Sequence, residues 1–151
     1  MSRTGGPIES IPTYTVDVPG IKDIARLLST PEYTGWFDCQ IIPADTEVLQ
    51  VIVDNLDEFP VYVSATETQL LYITYLWDEK DVISTHKMSM LEAMLDMNIP
   101  IPLSSFSRIG EHYVLFGATR RDASLDAIAI ELNALAENAV DALEAMSEFL
   151  H

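Results

Sequence analysis

Residues 47–77, EVLQVIVDNLDEFPVYVSATETQLLYITYLW, decide the fold class of this chain. Apolar residues recur at every second position in residues 47–53 and 61–65, a period typical of β-strands with one buried face. The connection between these two runs contains Asn, Asp and Pro, which favour turns. Residues 70–77 are apolar at almost every position, and we therefore expect a central strand that is covered on both faces.

Further elements are predicted on either side of this stretch. Residues 36–42 alternate in the same way and predict a first strand, and residues 21–28 carry apolar side chains on one helical face. After the central strand, residues 84–97 predict a second helix. Pro100 and Pro102 stop this helix, because proline lacks the backbone N–H that a helix needs.

The C-terminal third of the chain predicts a hairpin followed by a long helix. Residues 103–109 and 112–118 form the two strands, with Gly110 at the first position of a type II′ turn. The helix begins near Asp122 or Ser124 as its N-cap, runs close to the C-terminus and has apolar residues at coiled-coil spacing. The order α-β-β-β-β-α-β-β-α predicts an α+β fold, with a mostly antiparallel sheet and helices packed on it.

Length and composition indicate one domain. The chain has 151 residues, of which 48% are hydrophobic, and this suffices for a single buried core. Residues 1–19 are rich in Gly, Pro, Ser and Thr and predict a flexible tail, so the domain spans residues 20–151. We expect these side chains to be largely buried in the core: Phe37, Leu49, Val51, Val63, Leu71, Ile73, Trp77, Leu115 and Leu132.

Three sequence features favour a cytoplasmic protein. The chain has no apolar run of roughly eighteen residues, the length that spans a bilayer. The N-terminus lacks the apolar segment of a secretion signal. The single cysteine, Cys39, cannot form an internal disulfide and fits a reducing compartment.

The net charge limits the classes of partner. The chain carries 24 acidic residues against 8 Lys and Arg, for a formal charge of −16. Phosphate backbones and anionic lipids are repelled by such a surface, so we expect neither nucleic-acid binding nor direct membrane insertion. The acids are clustered. Residues 27–79 contain no Lys or Arg, and neither does the segment after Arg121. The clusters indicate either a solvated surface that maintains solubility or a contact surface for a basic partner.

No combination of residues in the sequence predicts catalysis. The three histidines, His86, His112 and His151, have no ligand partner at helical spacing, so we expect no metal and no cofactor. Cys39 lies among alternating apolar residues, as a buried structural cysteine does. Ser104 and Ser105 lie between Pro102 and Phe106, and this is not the strand-to-helix elbow that holds the nucleophile of a serine hydrolase. We therefore expect no enzymatic activity.

The second predicted helix is rich in methionine. Met90, Met94 and Met97 recur at the spacing of one helical face, and a neighbouring row holds Met88, Leu91 and Leu95. One row suffices to dock a helix on a sheet, so two rows leave apolar surface over. The methionine row either packs in the core or forms an adaptable surface for a partner, and we count it as a candidate contact site.

An acidic row on the last helix is the second candidate contact site. It consists of four residues spaced four, three and four apart, Glu137, Asp141, Glu144 and Glu148, and is called the acidic row below. Like charges at this spacing destabilise an isolated helix, and acids near a helix C-terminus oppose its dipole. Either tertiary packing or a basic partner must stabilise this end of the helix.

Several segments resemble a known bacterial family. Residues 59–64 (FPVYVS), 101–106 (IPLSSF) and 113–118 (YVLFGA), with Ser124-Leu125 at the start of the last helix, are similar to the YjfI-like proteins of unknown function. The likeness spans about residues 21–150, but residues 119–121 (TRR) depart from the family's leucine–serine pair. This resemblance implies no activity. Because such proteins are often encoded beside relatives of phage-shock protein A, it implies a partner of that kind.

The predicted element order also resembles class I type III secretion chaperones, which are small acidic dimers that hold partner segments in extended form. The present chain has one more strand before the second helix than that architecture. Taken together, these features predict an acidic cytosolic protein-binding module, adaptor or chaperone-like, that forms a homodimer. We expect its partner to be a basic protein or one with a basic amphipathic helix. The alternative is a small enzyme or ligand-binding domain with a site built from scattered polar residues.

Overall fold

The computed structural model describes residues 18–151, so the predicted tail at residues 1–19 lies almost entirely outside the described part. The helices and strands follow in the predicted order α-β-β-β-β-α-β-β-α, which confirms the α+β fold class. Their bounds are α1 Ile21–Leu28, β1 Phe37–Ile42, β2 Val48–Val53, β3 Val61–Ala65, β4 Gln69–Asp78, α2 Lys87–Met97, β5 Ser105–Ile109, β6 His112–Arg120 and α3 Leu125–Met146.

The six strands form one sheet in the order β1-β2-β3-β4-β6-β5, with every neighbouring pair antiparallel. Strand β4 therefore lies inside the sheet, as predicted, and β1 and β5 are its edges. The β5–β6 hairpin turns at Gly110, whose φ of 60° suits glycine at the first position of a type II′ turn.

The core lies between one face of the sheet and the helices. Helices α1 and α3 pack across the strands on this side, and α2 contributes Met90 and Met94 to the same core. Helix α3 begins as predicted at Ser124, whose Oγ accepts a hydrogen bond of 3.1 Å from the backbone N–H of Ala127. Its predicted apolar row faces the sheet, and Ile128, Leu132, Leu135, Ala139, Ala142 and Met146 are buried.

The expectation that β4 is covered on both faces is wrong. Its side chains toward the helices, Leu70 and Tyr72 among them, are buried, whereas Ile73 on the opposite side is half-buried and Tyr75 is 45% exposed. The physical reason is that all three helices of the described chain lie on the same side of the sheet. Six of the nine predicted core residues are buried. Leu71 and Ile73, on the side of β4 away from the helices, are only half-buried, and Phe37 on the edge strand β1 is half-buried although it packs against the core.

Two element boundaries differ from the prediction for local reasons. The second helix starts later, because Ser84–His86 form a 3₁₀ turn before α2. Strand β5 starts later than residue 103, because Leu103 has a φ of 69°, a left-handed conformation that does not continue a strand. None of the helices within residues 18–151 has the length and apolar character needed to cross a bilayer.

Candidate functional site

The predicted methionine row divides between the core and the surface. Met90 and Met94 are 0% and 5% exposed and pack in the core, and Met97 is half-buried. The neighbouring row supplies the exposed apolar side chains, since Met88 is 68% and Leu95 69% exposed. The sequence left two roles open for the methionine row, and Met90 and Met94 pack in the core. The accessible apolar surface of the helix is on the neighbouring row, at Met88 and Leu95.

A groove lies between α2 and the β5–β6 hairpin. It has a volume of about 340 Å³ and is mainly apolar. We call it the α2 groove, and it is lined by Leu91, Met94, Leu95, Asn98, Phe106, Ser107, Arg108 and Tyr113. The structure thus brings Met94 into a concave surface, together with residues of the hairpin that the sequence analysis did not single out.

Hydrogen bonds hold both walls of the α2 groove in place. At one end, Asn98 Oδ1 accepts a bond of 2.7 Å from the backbone N–H of Phe106 and so joins the end of α2 to β5. At the other end, the Tyr113 hydroxyl donates to Glu79 Oε1 at 2.6 Å, while Lys87 Nζ lies 2.8 Å from Glu79 Oε2. These bonds, first that from Lys87 and then that from Tyr113, lower the pKa of Glu79. The groove is therefore a preformed feature of the fold.

The acidic row is exposed along its whole length, as a contact surface requires. Its first three members lie on α3, whereas Glu148, which the sequence placed on the same helix, follows in the 3₁₀ turn Ser147–Phe149, because α3 ends at Met146. Its last member, Glu148, precedes Phe149, whose ring lies 6.4 Å from the His86 ring just before α2. The Ile83 N–H also donates to the Phe149 carbonyl at 2.9 Å. The acidic row therefore ends beside the start of α2, whereas the α2 groove lies along the other half of that helix.

A buried carboxylate on α3 was missed by the sequence analysis. Glu131 is 4% exposed, and its Oε2 has no hydrogen-bond partner. It lies over Gly117 of β6, where an added Cβ would approach Oε2 to 2.1 Å, so a larger residue there would displace the carboxyl group from its position. Burial raises the pKa of Glu131. A signal was present, because Glu131 falls three residues after Ile128 and four before Leu135, within the apolar face.

The segments that carry the family resemblance meet around this part of α3. Asn138 Nδ2 donates to the Pro102 carbonyl at 2.8 Å and to Ser104 Oγ at 3.0 Å. The Leu103 carbonyl oxygen lies 3.1 Å from the position of an added Cβ on Gly117. The proline–leucine–serine segment and the phenylalanine–glycine segment are therefore positions of close packing against Glu131 and Asn138.

The remaining chemistry-bearing residues are placed as follows. Residues 18–151 contain no group of three or more His, Cys, Asp or Glu arranged to hold a metal ion. Cys39 is half-buried on β1, and burial raises the pKa of its thiol to about 11, so it is protonated at neutral pH. Ser104 is 3% exposed and accepts the bond from Asn138. His112 Nδ1 lies 2.6 Å from Asp78 Oδ1 on the opposite side of the sheet from the helices.

Solved structures with this fold include two kinds of protein. One is YbjN from E. coli, described as a putative transcription regulator, with a TM-score of 0.64 at 12% identity over 88% of this chain and 95% of that one. A chain of the HopA1–SchA chaperone–effector complex gives a TM-score of 0.55 at 19% identity, covering 81% and 88% of the two chains.

A chain of the ExoU–SpcU complex from the type III secretion system of Pseudomonas aeruginosa gives a TM-score of 0.52 at 14% identity, covering 83% and 96%. These likenesses concern the fold, and they confirm the architectural resemblance to type III secretion chaperones. In sequence, no curated protein matches the chain. The model of one family matches residues 20–150 and confirms the resemblance to bacterial proteins of unknown function: the chain belongs to DUF2170, a family described as uncharacterized proteins conserved in bacteria.

Proposed function

We propose that this chain is a cytoplasmic, non-catalytic protein-binding module of the adaptor or chaperone type, and that the α2 groove is its main contact surface. The observation that carries this proposal is an apolar groove bordered by the exposed side chain of Leu95. Exposed apolar side chains that line a concave surface are typical of sites that bind proteins or ligands. Met94 also lines the groove, but at 5% exposure it packs mainly in the core, so Leu95 supplies most of the accessible apolar surface.

The polar groups of the groove favour a protein partner over a small polar substrate. Asn98 and Tyr113 both use their side chains to hold the groove together, through Phe106 and Glu79 respectively. A site for a small polar molecule needs several polar groups that converge on it and are free to bind it. Apolar contact along the groove is the main interaction that this arrangement offers.

The charge of the chain supports a basic partner. The acidic row is exposed and unpaired in the salt bridges of the described residues, and it adds to a formal charge of −16. A surface of one sign speeds the encounter with a partner of the other sign and contributes less to the final affinity. We therefore propose that the acidic row guides a basic segment toward α2, and that apolar contacts in the groove retain it.

Two further observations support this class of function. Chains of the same fold occur in the HopA1–SchA complex, a chaperone–effector complex, and in the heterodimeric ExoU–SpcU complex. The resemblance to YjfI-like proteins suggests a relative of phage-shock protein A as a first partner to test. Neither observation names the partner of this chain, so the proposal rests on the groove itself.

An affinity experiment tests the proposal. The purified chain is immobilised, exposed to bacterial lysate and washed at low and then high salt, and the same is done with the variant Leu95→Ser. We expect one or a few proteins to bind the native chain, to be retained less at high salt, and to be lost with Leu95→Ser. The matched control is Ile130→Ser on α3, since Ile130 is 59% exposed and distant in sequence from the groove. Equal recovery with Leu95→Ser and the native chain would refute the groove as the contact surface.

A further inference from the structure

The side of the sheet that faces away from the helices carries an apolar patch. Strand register aligns Tyr62, Ile73 and Phe116 side by side across β3, β4 and β6, and the next row aligns Tyr75 with Val114. We call these five residues the open face. None of them belongs to the core between the sheet and the helices.

The side chains of the open face pack against one another. The rings of Tyr62 and Tyr75 lie 6.0 Å apart in an edge-to-face arrangement, and the ring of Tyr75 lies 5.5 Å from that of His112 in the same arrangement. Val114, which lies between residues 112 and 116 on β6 and opposite Tyr75, is only 1% exposed. The patch is therefore a second, ordered apolar layer on which no helix of residues 18–151 packs.

Acidic residues lie toward one end of the sheet that carries the open face. Asp38 lies on its side of β1, and Asp54 follows β2 in the same alternation. Asp57 and Glu58 are exposed in the connection that leads to β3. Between Arg26 and Lys80 the chain has no Lys or Arg, so no cation from β1, β2, β3 or β4 offsets these carboxylates.

We propose that the open face binds a basic amphipathic helix of a protein partner, with its apolar side on Ile73 and Tyr75 and its cations toward Asp54 and Asp57. A helix buries one apolar stripe, and a twisted sheet face is the surface on which such a stripe packs in α/β architectures. The acidic border selects a cationic helix and opposes a second copy of this acidic chain, because like charges repel. The inference rests on the proposed protein-binding function and adds to it a second surface.

A synthetic helix tests this inference directly. The probe is a fluorescein-labelled peptide of about 18 residues made of Leu and Lys, long enough for about five helical turns. Its binding to the full chain is followed by fluorescence anisotropy. We expect Ile73→Thr with Tyr75→Ser to weaken binding about tenfold or more, since apolar anchors dominate the affinity of such contacts. Ile130→Ser, which alters an exposed apolar residue on α3, should change the affinity less than about twofold.

A separate experiment tests whether the acidic residues are required for binding. Replacing Asp54 and Asp57 by Asn should flatten the dependence of the association rate on salt, because these carboxylates attract the probe. A peptide of the same length made of Leu and Glu should not bind. Equal binding of the Leu/Glu and Leu/Lys peptides would overturn the inference.

Photo-crosslinking identifies the occupant. Tyr75 is replaced by p-benzoylphenylalanine, which keeps an exposed aromatic ring at this position. An adduct with the Leu/Lys probe supports the inference, whereas an adduct with a second copy or with residues 1–17 of the same chain would overturn it. If probe binding survives the Ile73 and Tyr75 changes but is lost with Leu95→Ser, this inference fails and the proposed function of the α2 groove stands.

Discussion

Replacing Glu131 by Gln should stabilise this protein, although Glu131 is only 4% exposed. Its Oε2 is enclosed without a hydrogen-bond partner and lies over Gly117. The amide of a Gln has the same size but no charge, so this change removes the cost of burying a charge. Leaving a buried polar group unpaired costs about 1–3 kcal/mol, and charge adds to that cost. We therefore expect Glu131→Gln to gain about 1–3 kcal/mol at pH 8.

The effect should depend on pH with a defined sign. Burial raises the pKa of Glu131 in the folded state above its value in the unfolded chain. Its protonated form thus favours folding, and this contribution is present below the unfolded pKa and lost as pH rises through the folded pKa. The advantage of Glu131→Gln should accordingly be larger at pH 8 than at pH 5.5.

Urea unfolding at pH 5.5 and pH 8, followed by circular dichroism, measures both quantities. Glu137→Gln is the control, because Glu137 is an exposed carboxylate on the same helix, and it should change the free energy of unfolding by less than about 0.5 kcal/mol. A Glu131→Gln variant that is less stable than the native chain at pH 8, or whose effect is equal at the two pH values, would refute the account of this site.

Three further predictions concern packing and assembly. Gly117→Ala should lower the free energy of unfolding in urea by about 1–3 kcal/mol, because its Cβ would approach Glu131 Oε2 to 2.1 Å and the Leu103 carbonyl oxygen to 3.1 Å. An unchanged stability would mean that the Glu131 carboxyl group moves aside freely. Leu115→Ala should lower the free energy of unfolding by about 2–5 kcal/mol, because Leu115 is 0% exposed. Ile73→Ala should lower it clearly less, because Ile73 is only half-buried. Equal losses of stability would show that a second layer covers the open face. The chain should be a homodimer by light scattering, and Ile73→Thr should leave it dimeric; a monomer at high micromolar concentration would contradict the first claim.

The period of the apolar residues made most of the fold predictable. The alternation of apolar and polar residues predicted β2 and β3. The serine N-cap predicted the start of α3, and the apolar residues at helical spacing predicted its buried face. The coverage of β4 could not be predicted in this way. Leu71 and Ile73 are as apolar as the residues that face the helices, and the sequence does not state whether the second face meets another layer of the same chain or a partner.

The candidate site was predicted in part, for a related reason. Two apolar rows on α2 were visible, but the rotation of the helix about its axis depends on residues distant in sequence, such as Phe106, whose N–H binds Asn98 at the end of α2. As a result, Met90 is buried in the core and Met88 is exposed. Glu131 was overlooked because any single acid carries little information in a chain with so many acids.

The most direct test of the proposed function is the dissociation rate of the captured partner, measured by surface plasmon resonance. Contacts in an apolar groove are lost mainly through faster dissociation, whereas exposed charges act mainly on association. We predict that Leu95→Ser speeds dissociation about tenfold or more with little change in the association rate. Charge reversal of Glu137, Asp141, Glu144 and Glu148 should instead slow association at low salt. If Leu95→Ser leaves the dissociation rate unchanged, the α2 groove is not the surface by which this protein binds its partner.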